Sequence, residues 1–351
     1  MRKIETFEES EILKINLSNP EKLFIGKDEN ELKNIYRKLS ALWHPDKHIN
    51  DGKDTSKVFV HIKDLYESAL KKLENGTLGL GLSIKFIDES GKEFILKYQI
   101  EKLFELGKYY ISNEYVVWCF DKDYESNAKE GIRKIDSLKF ADDKMKKEFS
   151  KYIPKVIKVI NTKEYFIIVM QKEKGFLNLQ DVLIHYGTMD SKHVAWVMST
   201  MYNLACFLKY NNLMQGGISL ENYFINPENH EGYVMGGWWY SKNFGEKLEM
   251  LSTTAVDVAP VSLINSKKAE SGLDLEMIKL AGRTLLGDST GVYLNKNPHI
   301  HKRMILWLRE ASLGNAFKEY EIWMKEVLKD SFGARRFIKM ELTANDIYKG
   351  E

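Results

Sequence analysis

The chain has 351 residues, enough for two domains, with 44% hydrophobic and 29% charged side chains, the balance of a core-forming protein. Its 52 basic and 50 acidic residues leave a net charge of +2, which gives no electrostatic footprint for nucleic acid and removes polyelectrolyte binding from the first expectations.

The opening "MRKIETFEESEILKI" carries glutamates ahead of any long apolar run, so it does not read as a secretory signal. No apolar stretch approaches the eighteen or so residues of a spanning helix, so no membrane partner is expected and a cytoplasmic location fits best. Cys119 and Cys206 lie far apart without metal-type spacing and read as core thiols.

"NPEKLFIG" offers Asn19 as a cap, Pro20 at the first helical position and Gly26 as a stop, which predicts a short helix. Asp28 with Glu31 then forms a variant capping box, and Leu32, Ile35, Tyr36, Leu39, Leu42 and Trp43 repeat at helical spacing. This predicts a helix from about Asp28 to Trp43, stopped because Pro45 disfavours helical geometry at His44. A polar loop with an Asp51-Gly52 turn signal follows. A second amphipathic helix runs from Val58 past Phe59, Ile62, Leu65, Tyr66 and Leu70 to a stop at Asn75-Gly76, so the pair reads as an antiparallel hairpin.

From Leu78 the pattern changes. "GLGLSIKFIDESGKEFILKY" predicts strand, turn and strand, "KYYISNEYVVWCFD" a tight hairpin, and "KVIKVI" with "EYFIIVM" two more strands after a helical "FADDKMKKEFSKYI". Strands dominate from about 82 to 171. Helical spacing then prevails over 191–211, 273–287, 299–312 and 315–330, with a short strand pair near 223–235. The expected fold class is multidomain: an all-α helical hairpin (1–77, core 19–75), then an α+β bilobal domain (78–351) with a β-rich lobe at about 82–172 and an α-rich lobe at about 173–351. No internal repeat or low-complexity linker is visible.

Lys33 and Arg37 lie four residues apart on the first long helix, and their column continues past Ala41 to His44. Such a strip suits a partner with a complementary charged patch. Taken alone, His44-Pro45-Asp46 also reads as a helix-end histidine, a stop and a turn former. The wider run "YRKLSALWHPDKH", with Phe59 thirteen residues after Asp46 and Ile62, Tyr66 and Leu70 on its face, resembles the J domain of DnaJ-type co-chaperones. The resemblance covers about Asn19 to Asn75. It implies that His44, Pro45 and Asp46, with Lys33, Arg37 and Lys38, dock on a DnaK-type heat-shock chaperone and stimulate its ATPase. The family's usual Tyr-x-x-Leu-Gly opening is here "LFIGKDE", and neither a glycine/phenylalanine linker nor a zinc region follows, so the client-binding parts of a general DnaJ chaperone are missing.

"FLKYNNLMQGGISLENYFINPENHEGYVMGGWWYS", Phe207 to Ser241, resembles the catalytic segment of protein kinases in degenerate form. Glu221 and Asn222 match the kinase Glu-Asn. Gln215 stands for the histidine, Gly217 for the catalytic aspartate, Ser219 for the lysine and Gly236 for the metal-binding aspartate, and phosphoryl transfer relies on both acids. "YFIIVMQKEKGFLNLQDVL" looks like the fifth strand, hinge and next helix, Ala259-Pro260-Val261 sits where Ala-Pro-Glu would be, and Asp274 matches the buried aspartate of the large central helix. Only Leu106-Gly107 is left of a glycine-rich loop. The strand Tyr115 to Phe120 has no lysine, with Lys122 a nearby substitute, and Glu148 matches the helix glutamate of the usual ion pair.

The resemblances together imply a non-enzymatic co-chaperone, its pseudokinase-like domain addressing the recruited chaperone to an unidentified protein client. No cofactor or metal is expected. The alternatives are an atypical kinase that binds ATP and magnesium through Glu221, Asn222 and Asp257, or a factor that sequesters a host's DnaK-type chaperone. Plainer readings serve elsewhere: Trp238 and Trp239 as packing, His299 and His301 as a solvated helix start, and Arg335, Arg336 and Lys339 as a solvated face.

Overall fold

The computed structural model describes residues 6–26, 28–48, 54–334 and 336–348. The Asp51-Gly52 turn and Arg335 lie outside them. The chain is α+β and divides into two compact units after Ile100.

Unit 1 is built around two long helices. Asp28 caps the first, α2 (Glu29–Leu42), after a single turn α1 (Glu9–Ile12), and its carboxylate accepts the Glu31 N–H at 2.9 Å. Trp43 closes α2. Pro45 then opens a further turn, α3 (Pro45–His48), where an unstructured loop was expected, because proline is preorganised for the first helical position and has no N–H to leave unpaired. The second long helix is α4 (Ser56–Glu74). Tyr36 stacks on Tyr66 at 4.5 Å and His44 meets Phe59 at 5.4 Å, so α2 and α4 run antiparallel. Ile12, Ile15, Leu23, Phe24, Leu32, Leu39, Val58, Ile62 and Leu65 form one buried cluster between them and the N-terminal segment. Lys72 of α4 pairs with Glu21 at 2.8 Å and donates to the Gly81 carbonyl, fastening the segments on either side of the hairpin.

Strands β1 (Ser83–Ile87) and β2 (Glu93–Lys97) form an antiparallel ribbon with Phe86 opposite Phe94 and Ile84 opposite Leu96. They pair with each other and with no other strand, so this ribbon falls in unit 1 and the division comes after Ile100 rather than after residue 77.

Unit 2 opens with a five-stranded sheet made of β3 (Ile100–Phe104), β4 (Gly107–Ile111), β5 (Tyr115–Asp121), β6 (Lys155–Asn161) and β7 (Tyr165–Gln171), in the order β3-β4-β5-β7-β6. Between β5 and β6 lie α5 (Glu125–Asp136) and α6 (Asp143–Phe149). Only α6 was foreseen. Glu148, matched in sequence to an ion-pair helix, is exposed on α6, while α5 is the helix that packs on the sheet.

Beyond β7 come β8 (Leu177–Asn178), α7 (Leu179–Tyr186) and the long α8 (Ser191–Tyr210), then short strands β9 (Leu213–Met214), β10 (Tyr223–Asn226), β11 (Glu231–Val234) and β12 (Lys242–Asn243). The helices α9 (Thr253–Val258), α10 (Val261–Ser266), α11 (Ser271–Leu285), α12 (Lys302–Arg309), α13 (Ala316–Ile322), α14 (Leu328–Phe332) and α15 (Ala344–Ile347) complete the unit. The buried face of α11 packs on α8. His301 caps α12, its Nδ1 accepting the Arg303 N–H at 3.3 Å, so it stands at a helix start as its sequence context suggested.

Candidate functional site

The first candidate site is the turn from α2 into α3. Trp43 ends α2 because Pro45 follows, and the two-residue step places His44 and Asp46 side by side. The Asp46 N–H donates to His44 Nδ1 at 3.3 Å, and the Asp46 carboxylate lies 3.7 Å from the same nitrogen. With Nδ1 accepting, Nε2 is left as the ring's donor. The other side of the imidazole rests edge-on against Phe59 of α4, which fixes its direction. His44 keeps 45% of its side chain exposed and Asp46 80%, so this is a presented surface rather than a pocket. Lys33, Arg37 and Lys38 are exposed on α2, and none of them forms an ion pair among the described residues. An oriented donor, a carboxylate and three uncompensated cations suit an acidic, hydrogen-bonding protein surface.

The second candidate site is the 215–222 loop of unit 2 with the residues around Gly236. Asp274 of α11 is buried and accepts the Gln215 and Gly216 N–H groups, both at 2.8 Å. Burial pushes its carboxyl up to about 6, and the two N–H bonds oppose that rise. Gln215 donates from Nε2 to the Gly236 carbonyl at 2.9 Å and accepts the Gly217 N–H at 2.7 Å, which ties the loop to the turn after β11. Asn222 donates to the Gly217 carbonyl at 2.9 Å. Gly217, Asn222 and Gly236 therefore converge. Ser219 faces elsewhere: with Glu221, Thr254 and Asp257 it lines a separate groove of about 440 Å³.

Neither glycine has space for a carboxylate. A Cβ on Gly217 would fall 2.7 Å from the Gly237 Cα, and one on Gly236 would fall 2.6 Å from the six-membered ring of Trp118. The strand β5 carries no lysine, and Trp118 at its middle is fully buried. Lys122, the sequence substitute, pairs with Glu125 at 3.0 Å and donates to the Thr162 carbonyl at 3.0 Å. Among the described residues no group of three or more His, Cys, Asp and Glu side chains could hold a metal ion.

Residues that sequence reading did not single out control the rim. The Glu105 carboxylate, between β3 and β4, accepts the Thr253 N–H at 2.6 Å and the Tyr240 hydroxyl. Burial raises the Glu105 carboxyl, yet these bonds outweigh it and hold the group below its ordinary value. Lys102 of β3 pairs with Asp181 of α7 and donates to Asn178 Oδ1 at 3.3 Å. Tyr348, after α15, accepts the Asn178 N–H at 3.0 Å. The only sequence trace of these contacts is charge placed just after, or within, apolar strands. No family model matches the chain, and no curated protein matches it by sequence.

Proposed function

We propose that the chain is a co-chaperone whose unit 1 acts as a J domain, docking on a DnaK-type chaperone and stimulating its ATPase. The observation that carries this reading is the turn His44-Pro45-Asp46, oriented by Phe59 and the Asp46 N–H, together with the exposed cations Lys33, Arg37 and Lys38 of α2. The partner supplies the ATPase chemistry, and unit 1 supplies contacts only.

Unit 2 is read as a kinase-like scaffold that performs no phosphoryl transfer and addresses the recruited chaperone to a protein client. The sheet order β3-β4-β5-β7-β6 followed by helices supports it, as does the buried Asp274 holding the 215–216 backbone. Glycine at 217 and 236 supports the absence of chemistry, since transfer needs a carboxylate by the acceptor and a second on magnesium.

Single-turnover ATP hydrolysis by a DnaK-type chaperone tests the docking. The native chain should accelerate it and the His44→Gln variant should lose that acceleration. A His44→Gln chain as active as the native one would sink the proposal.

A further inference from the structure

The indole of Trp118 sits at the middle of β5, wedged against Tyr109 in a stack at 4.3 Å, against Phe104 at 5.2 Å and against Trp239 at 4.9 Å. Phe120 backs Trp239 at 4.8 Å. Trp118, Tyr109, Phe120 and Trp239 are all buried, and the Trp118 ring lies directly on the backbone of Gly236. Around this nest Glu105 and Lys102 reach from the sheet to Thr253, Tyr240, Asn178 and Asp181 on the helical side. We infer that Trp118 is a built-in stopper, backed by Trp239, which closes the cleft of unit 2 to nucleotide and whose removal exposes a site for a flat bicyclic aromatic. The inference deepens the reading of unit 2 as a non-transferring scaffold, but its evidence lies wholly within unit 2 and its readout is independent of any chaperone.

The stopper bears on Gly236, whereas Gly217 is closed off by main chain. An aspartate at 236 and an indole at 118 claim the same volume. The 217 backbone has closed onto Gly237, so a side chain there meets main chain and not a flexible neighbour. Placing an acid at either position in the native background should cost stability without creating a metal site.

Thermal melting of the full chain tests this. The native protein should show no shift with millimolar Mg-ATP or with millimolar indole. Trp118→Ala should melt about 10 °C lower and recover part of that loss with indole, a shape match for the missing ring. Gly236→Ala keeps Trp118 and places a Cβ against Asn222 Oδ1 and 2.6 Å from the Trp118 ring, so its Tm should also fall, and most of that fall should persist when the amide is cleared by Asn222→Ala. A rise in the native Tm with Mg-ATP overturns the proposal, as does a folded Trp118→Ala chain that indole leaves unmoved. Should Trp118→Ala fail to fold, Gly236→Ala in an Asn222→Ala background decides: a Tm equal to that of Asn222→Ala alone overturns the proposal, because the ring is then not seated on residue 236.

Discussion

Lys172, just after β7, is 4% exposed, and its ammonium donates to the Phe176 carbonyl at 3.2 Å, with no carboxylate paired to it among the described residues. Burial pulls its pKa down to about 8. The native state therefore binds fewer protons than the unfolded chain between about pH 8 and the ordinary lysine value, and this group's contribution to stability rises with pH through that window. Below pH 8 the buried charge costs about 3 kcal/mol. Lys172→Met keeps the stem volume and removes the charge, but leaves the Phe176 carbonyl without its donor, at about 1 kcal/mol. Urea unfolding at pH 7 should find the variant about 2 kcal/mol more stable, with the gap closing by pH 10.5. A gap that does not change with pH would remove buried charge as its cause. Nothing in "MQKEKGF" distinguishes Lys172 from Lys174, because burial is decided by the chain's path after β7 and not by local pattern. Asp274 was picked out only by the resemblance of "SGLDLEMIKLAG" to the large central helix of kinases, and it is buried and accepts two backbone N–H groups.

At the scale of elements, α2 could be read to within about a residue because cap, periodicity and stop agree on the same limits, whereas α4, which has no side-chain cap, begins at Ser56, ahead of the apolar pattern that starts at Val58. Strand pairs with tight turns were equally plain. The helix α5 was not: its buried face is Ala128, Gly131, Lys134 and Ile135, so the hydrophobic signal is weak and the glycine reads as a break. The structure gives that glycine a packing purpose. A Cβ at 131 would lie 3.0 Å from the Trp239 nitrogen and 3.1 Å from the Trp238 carbonyl carbon, so α5 approaches the backbone of 238–239 as closely as a side-chain-free residue permits. Gly131→Val should cost about 3 kcal/mol by forcing these elements apart, read as a lowered urea midpoint. An unchanged midpoint would mean that α5 is free to shift. The expected single helix over 315–330 is likewise interrupted by a π turn at Trp323–Val327. The extra residue lets the buried Trp323 indole donate to Ser199 Oγ at 2.9 Å, a tertiary demand that helical spacing cannot encode.

At the scale of the whole molecule, the division of labour rests on unit 1 being complete in itself. Its apolar cluster draws only on residues between Phe7 and Leu78, and the Lys72–Glu21 pair with the Lys72–Gly81 bond closes both ends of the segment internally. The surface proposed for docking is likewise assembled from α2, α3 and Phe59 of α4. About a hundred residues suffice for a cooperative core, so a fragment ending at Ile100 should melt as one helical transition by far-UV circular dichroism. It should also stimulate a DnaK-type ATPase to the same maximal rate as the full chain, because the contacts proposed for docking all travel with it. Addressing to a client, assigned to unit 2, should be lost. An unfolded fragment would mean that the core of unit 1 depends on unit 2. A folded fragment without stimulation would mean that unit 2 supplies part of the chaperone contact, and the basic face of α2 would then be only one part of a larger surface.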